Sequence, residues 1–156
     1  MAISLAAYKT LDSIDSLISR LGFLELNEFL TQDEKRAYLK MAQNYEWINH
    51  SSTVTGKKSV LHFMPCKYKD FERVALMKME PNAIQDWHTD GNRTTVLIYP
   101  LSDNYAPGET RNGKYHGPSL VDVTKEHAVF NNNHTRINLQ IGFNERIEKV
   151  WDLLQN

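Results

Sequence analysis

His88-Thr89-Asp90 sets an imidazole and a carboxylate two residues apart. On an extended backbone, residues i and i+2 point to the same face, so the two side chains converge. A third ligand from a neighbouring strand would complete two histidines and one carboxylate on one side of a metal. Such a set leaves the opposite coordination positions open, which suits an Fe(II) that also binds a co-substrate and dioxygen. Six histidines and nine aspartates in 156 residues give roughly 0.35 His-x-Asp matches by chance, so the pattern alone does not define a site.

A second group lies in His127-Ala128-Val129-Phe130-Asn131-Asn132-Asn133-His134-Thr135-Arg136. A histidine opens one strand and an arginine enters the next, making a hairpin-sized unit. Beyond it Arg136, Asn138, Gln140 and Gly142 share one face, and Ile137, Leu139, Ile141 and Phe143 share the other. The polar face meets either water or a polar pocket. Turned inward, a guanidinium binds a carboxylate through two parallel hydrogen bonds. Together the two groups offer a metal cradle and a carboxylate anchor on adjacent strands, a combination rarer than either part.

The elements that must position these residues follow from periodicity. Leu11, Ile14, Leu17, Ile18 and Leu21 form one apolar helical stripe, with Gly22 at the C′ position. Thr31-Gln32-Asp33-Glu34 has the capping-box form, and Tyr38, Met41, Ala42 and Tyr45 follow as a buried face. Near Trp47 the character changes, and from Ser59 the period drops toward two. Val74 to Glu80, Thr94 to Tyr99, Leu120 to Val123, His127 to Phe130 and Arg136 to Phe143 read as short strands. The glycine- and proline-bearing stretch from Ser102 to Pro118 reads as a long loop. Asn144-Glu145 opens a closing helix with Ile147, Val150, Trp151 and Leu154 on one face. The expectation is mainly β with flanking helices (α+β), a compact antiparallel core. One domain spans residues 1–156, with helical support over 1–46, a β core over 47–143 and a closing helix over 144–156.

The segment from Pro81 through Trp87-His88-Thr89-Asp90 to Gly91 resembles the proline-turn and His-x-Asp segment of the Fe(II)/2-oxoglutarate-dependent oxygenases. It is most similar to the aspartyl/asparaginyl β-hydroxylase-like branch, where Pro100-Leu101 also fits the end of the next strand. His127 and Arg136 match that family's distal histidine and the basic residue holding the far carboxylate of 2-oxoglutarate. The resemblance covers roughly residues 74–143. It implies a double-stranded β-helix (jelly-roll, cupin-like) core buttressed by the N-terminal helices and a C-terminal helix. It also implies a catalytic Fe(II) held by His88, Asp90 and His127, with 2-oxoglutarate as co-substrate on Arg136. The implied activity is a dioxygenase that hydroxylates a protein side chain or a small molecule, with succinate and CO₂ as co-products.

Two departures stand out. The strand after His-x-Asp is mostly apolar, with Thr95 and Tyr99 as its candidate donors, and the spacing from Asp90 to His127 leaves little room for a substrate-recognition insert. A second reading is a non-catalytic jelly-roll module that binds metal or ligand. A third is a nucleic-acid demethylase, because Arg136-Ile137-Asn138-Leu139 is similar to the Arg-x-Asn-Leu of that branch; Gly142, however, stands where the branch has a second arginine.

The bland readings are specific. His88 and Asp90 could be a solvated turn before Gly91-Asn92, and Arg136 an ion-pair partner of Asp122 or Glu126. His134, among asparagines at a hairpin tip, is the rival distal ligand and ranks below His127. His50, His62 and His116 read as structural or exposed, and Cys66 as a small buried residue. Tyr105 and Tyr115 are loop tyrosines able to line a substrate entrance, and Trp87 packs in the core or at the rim of the site.

Composition excludes several classes. With 18 Lys plus Arg against 19 Asp plus Glu, the net charge of −1 gives no drive toward phosphate backbones. Nucleic acid is disfavoured as a partner. No apolar run reaches the roughly 18 residues of a membrane span, and Lys9 and Asp12 interrupt any signal-peptide pattern. Cys66 lacks an intrachain partner, so the expectation is a reducing, cytoplasmic setting.

Overall fold

The computed structural model describes residues 3–6, 13–44, 48–49, 54–55, 59–64 and 73–155. Leu11, Tyr45, Trp47, His50 and Cys66 lie outside them, as does the side chain of His62.

Among the described residues, twelve strands form two antiparallel sheets. The larger sheet contains β1 (Phe23–Glu25), β2 (Ile48–Asn49), β4 (Ser59–Met64), β5 (Arg73–Met79), β7 (Thr95–Pro100), β10 (Ser119–Asp122) and β12 (Arg136–Phe143), in the order β1-β10-β7-β12-β5-β4-β2. The smaller contains β3 (Val54–Thr55), β6 (Ile84–His88), β8 (Gly108–Thr110), β9 (Gly113–Tyr115) and β11 (His127–Phe130), in the order β3-β6-β11-β8-β9. From β5 onward, apart from the paired strands β8 and β9, the chain alternates between the two sheets, so strands next to each other in sequence lie in different sheets.

The alternation of β12 sorts its two faces. Leu139 and Phe143 pack outward against helices, while Arg136, Asn138 and Gln140 turn inward and are buried. Its register aligns Arg136 with Met79 and Gln140 with Ala75 on β5, and Gln140 with Ile98 on β7.

Among the described residues, three helices cover the outer face of the larger sheet. Helix α1 (Ile14–Leu21) is capped by the Ser13 hydroxyl, which accepts from the Ser16 amide at 3.2 Å, and ends at Gly22 with φ +80°. Helix α2 (Gln32–Asn44) carries the expected capping box: the Thr31 amide donates to Glu34 at 3.0 Å and the Glu34 amide donates to Thr31 at 3.1 Å. Leu17 and Ile18 of α1 join Ile147 and Val150 of α3 (Ile147–Gln155) over Leu97, Leu120 and Phe143. Ala42, with Tyr38 and Met41, covers Leu76, Tyr99 and Leu139. The expected buttress is present, and each fully buried aliphatic side chain contributes about 1.5–3 kcal/mol. Among the described residues no helix is long and apolar enough to cross a membrane.

Three expectations need correction. Phe23–Glu25 forms β1, an edge strand on β10, inside the region read as helical. Three residues are too few to show alternation. Pro100 belongs to β7 and pairs with Asn138 instead of stopping the strand before it. The expected long loop contains the β8–β9 hairpin, turned at Arg111-Asn112 and paired through Gly108 with Tyr115.

Candidate metal centre

His88 is the last residue of β6, and His127 the first of β11. The two strands pair with these histidines directly opposite, and their ring centroids are 4.2 Å apart. A bulge between this pair and the Gln85–Val129 pair bends β6 just before the site. Asp90 lies beyond the end of β6, its amide donating to the Val123 carbonyl at 2.8 Å. One carboxylate oxygen of Asp90, Oδ1, stands 3.5 Å from His88 Nε2 and 3.3 Å from His127 Nε2. The structure therefore brings together the three residues singled out in the sequence, with one ligand atom of each within 4.8 Å of the others. Donors about 2.1 Å from a shared ion and at right angles about it lie about 3 Å apart; these spacings are close to that.

The ring orientations decide what the cluster can hold. His88 Nδ1 lies 2.7 Å from the Asp86 carbonyl, and His127 Nδ1 lies 2.9 Å from the Lys125 carbonyl. A carbonyl only accepts, so each Nδ1 carries the hydrogen and each neutral ring presents the Nε2 lone pair to the shared space. Two lone pairs and a carboxylate then face one another, an arrangement that a cation relieves. This is also how metal-bound histidines are oriented from behind. Without a cation, a proton on His88 eases the same clash. Burial disfavours the His88 imidazolium, yet hydrogen bonds to Asp90 and the Asp86 carbonyl outweigh it and raise its pKa. Burial likewise opposes ionisation of Asp90, but bonds from His127, His88 and Arg93 overcome it and hold the carboxyl well below its usual range.

The cluster opens into a cleft between the sheets with about 460 Å³ of empty space, part of it continuous with solvent. Arg136 lines the same cleft and is 2% exposed. Its Nε donates to the Ala106 carbonyl at 3.0 Å, and its guanidinium lies 4.1 Å above the Tyr105 ring. Nη2 is buried without a hydrogen-bond partner. Neither Asp122 nor Glu126 pairs with it: Asp122 accepts from Thr124 and Glu126 from Arg111. A buried donor on a cation with no acceptor is costly, and an incoming carboxylate satisfies it.

Other residues sort as follows. His134 sits exposed in the β11–β12 connection, and His116 is exposed. Trp87 is half-buried, with Arg111 3.8 Å over its ring and Phe130 at 6.2 Å. Thr95 and Tyr99 do not face the cleft. Thr95 donates to the Glu145 carbonyl at 2.7 Å, and the Tyr99 hydroxyl accepts from the Phe29 and Leu30 amides. It is Val96 and Ile98 that line the cleft from β7. The expected entrance tyrosines turn inward: Tyr115 is 2% exposed and lines the cleft, and half-buried Tyr105 accepts at its hydroxyl from Asn138 Nδ2 at 2.9 Å. Arg93 and Gln140, unassigned from the sequence, complete the polar lining. An arginine three residues from a candidate ligand was the available signal for the first.

No protein-family model matches the chain, and no curated protein matches it in sequence. Solved structures do match. A Pseudomonas putida prolyl-4-hydroxylase superposes with a TM-score of 0.62 at 13% identity, covering 83% of this chain and 96% of that one. The viral collagen prolyl hydroxylase of Paramecium Bursaria Chlorella virus-1, in its 2OG complex, gives 0.58 at 12% identity, covering 78% and 94%. A predicted oxalate decarboxylase from Thermotoga maritima gives 0.51 at 16% identity, covering 64% and 91%. The fold is a double-stranded β-helix. Within this β-helix, β6 and β11 supply the histidines and β12 supplies the arginine, and all three side chains line the cleft.

Proposed function

We propose that this protein is an Fe(II)- and 2-oxoglutarate-dependent dioxygenase that hydroxylates a protein side chain or a small molecule. One observation carries the reading: the two histidines of a His-Asp-His donor set and a buried arginine with an unpartnered Nη2 line the same cleft. That pairing suits a dicarboxylate with one end at a metal and the other on a guanidinium. The prolyl hydroxylase neighbours, one of them in a 2OG complex, support this reading at the level of the superfamily. They lend no support to the aspartyl/asparaginyl β-hydroxylase-like branch in particular.

His88 and His127 would hold the metal through Nε2 and Asp90 through Oδ1. Iron with 2-oxoglutarate and dioxygen supplies the oxidation, with succinate and CO₂ released. The chain's own contribution is placement. Arg136 would pair with the far carboxylate, and Tyr115 lines the same cleft. Val96, Ile98, Val123 and Val129 make the walls apolar and exclude water.

The test is an anaerobic titration of the apoprotein with Fe(II) and 2-oxoglutarate, following the visible charge-transfer band of the chelate. The band should vanish in His88→Ala and require far more co-substrate in Arg136→Ala. No band in folded wild-type protein would reject the proposal. A band without succinate formation under oxygen, across peptides and amino acids, would leave a non-catalytic binding module.

A further inference from the structure

Asp90 does not offer its two oxygens equally. Oδ1 faces both histidines, whereas Oδ2 accepts from Arg93 Nε at 2.6 Å, the shortest contact in the cluster. Arg93 is itself tethered: its Nη1 donates to Gln140 Oε1 at 3.2 Å, and Gln140 Nε2 contacts Met77 Sδ at 3.0 Å. The chain Asp90–Arg93–Gln140–Met77 runs from the loop after β6 to the inner faces of β12 and β5. With the Asp90 amide fixed on Val123, the carboxylate is gripped at both its backbone and its outer oxygen.

We infer that Arg93 is a positioning residue that holds Asp90 as a single-oxygen metal ligand. The inference rests on the proposed metal centre. A carboxylate free to rotate can chelate through both oxygens and take an extra coordination position. Arg93 occupies Oδ2 with a charge-assisted hydrogen bond and so prevents this. One oxygen from Asp90 and one nitrogen from each histidine would then leave room on a bound metal for a two-point co-substrate and dioxygen. Its positive charge also offsets part of the carboxylate's charge, so orientation and attraction for the metal pull in opposite directions. The oriented, pre-set ligand prevails, because losing partners behind a metal ligand typically weakens metal binding by about 10–100-fold.

Co(II) alone is the probe, titrated into full-length apoprotein and followed by its visible spectrum and by calorimetry. Arg93→Ala is expected to bind Co(II) about tenfold or more weakly, with an altered ligand-field spectrum. Millimolar guanidinium should restore both, and tetramethylammonium should not; a purely architectural role predicts no such rescue. Gln140→Ala, which removes only the outer tether, should shift both in the same direction by less. Should Arg93→Ala fail to fold, Arg93→Lys and Gln140→Ala carry the test, since a lysine cannot span both partners. Wild-type affinity and spectrum in a folded Arg93 variant would overturn the inference. Failure of the wild type itself to bind Co(II) would instead reject the metal centre beneath it.

Discussion

The Tyr115 ring lies directly over the backbone of Gly108, its cross-strand partner, so that a Cβ on residue 108 would overlap the ring's Cζ and hydroxyl. Glycine at this position is what lets a large side chain on a three-residue edge strand turn into the cleft. Gly108→Ala must displace either the ring or the hairpin. Overpacking of this kind costs about 1–3 kcal/mol, so the variant should unfold at lower denaturant. It should also bind 2-oxoglutarate about tenfold more weakly, roughly 1.4 kcal/mol, when the metal-loaded protein is titrated calorimetrically. An unchanged co-substrate affinity would show that Tyr115 takes no part in that subsite.

Arg136 is a buried cation with a vacant donor, compensated by the Ala106 carbonyl and the Tyr105 ring but by no carboxylate in hydrogen-bond reach. Replacing a buried, incompletely paired charge by an apolar residue of similar volume is often neutral or stabilising. Arg136→Met should therefore match or exceed the wild-type melting temperature as apoprotein, while its affinity for 2-oxoglutarate falls at least tenfold. Wild-type protein should gain thermal stability on adding the co-substrate to the metal-loaded form, and the variant should not. A variant that melts well below wild type would mark Arg136 as structural.

How much of this was legible in the sequence depended on distance along the chain. His88 and Asp90 are two residues apart, and the Arg136–Gln140 face repeats every second residue, so local periodicity exposed both. The pairing of His88 with His127 is a register between strands that no local pattern encodes; the family resemblance supplied it. The inward turn of Tyr115 was hidden because it depends on the missing Cβ of Gly108 across the hairpin. Thr95 and Tyr99 looked like donors to the site because an apolar strand gave no sign of which face met the helices. Buried on both faces, β7 lacks the alternation that would have told them apart.

Tyr99 gives the corresponding structural test. Its hydroxyl accepts from the Phe29 and Leu30 amides at 3.1 and 3.0 Å, fixing the approach to α2, and its ring meets Phe29 edge-on at 4.8 Å. Tyr99→Phe keeps the ring and strands two partly buried donors, a loss of about 1–3 kcal/mol. Chemical denaturation should report that loss, whereas Co(II) and 2-oxoglutarate affinities should stay at wild type. A selective fall in co-substrate affinity would instead return Tyr99 to the site.

The interior tyrosines also set an alkaline limit. Burial raises the pKa of Tyr115 and of Tyr105, and in each case it outweighs the nearby Arg136 charge that favours the phenolate. An unfolded tyrosine ionises near about 10. Above that value the unfolded chain has released protons that the folded protein still holds, so stability falls as pH rises. The contribution is whole below the unfolded pKa and is lost on the way to the raised folded values. A spectrophotometric titration should therefore leave at least two of the seven tyrosines silent until near-UV dichroism collapses, and all should titrate normally in denaturant. Tyr115→Phe and Tyr105→Phe should each remove one phenol from the silent group. Reversible ionisation of all seven near the ordinary value, with the fold intact, would mean that both hydroxyls reach water.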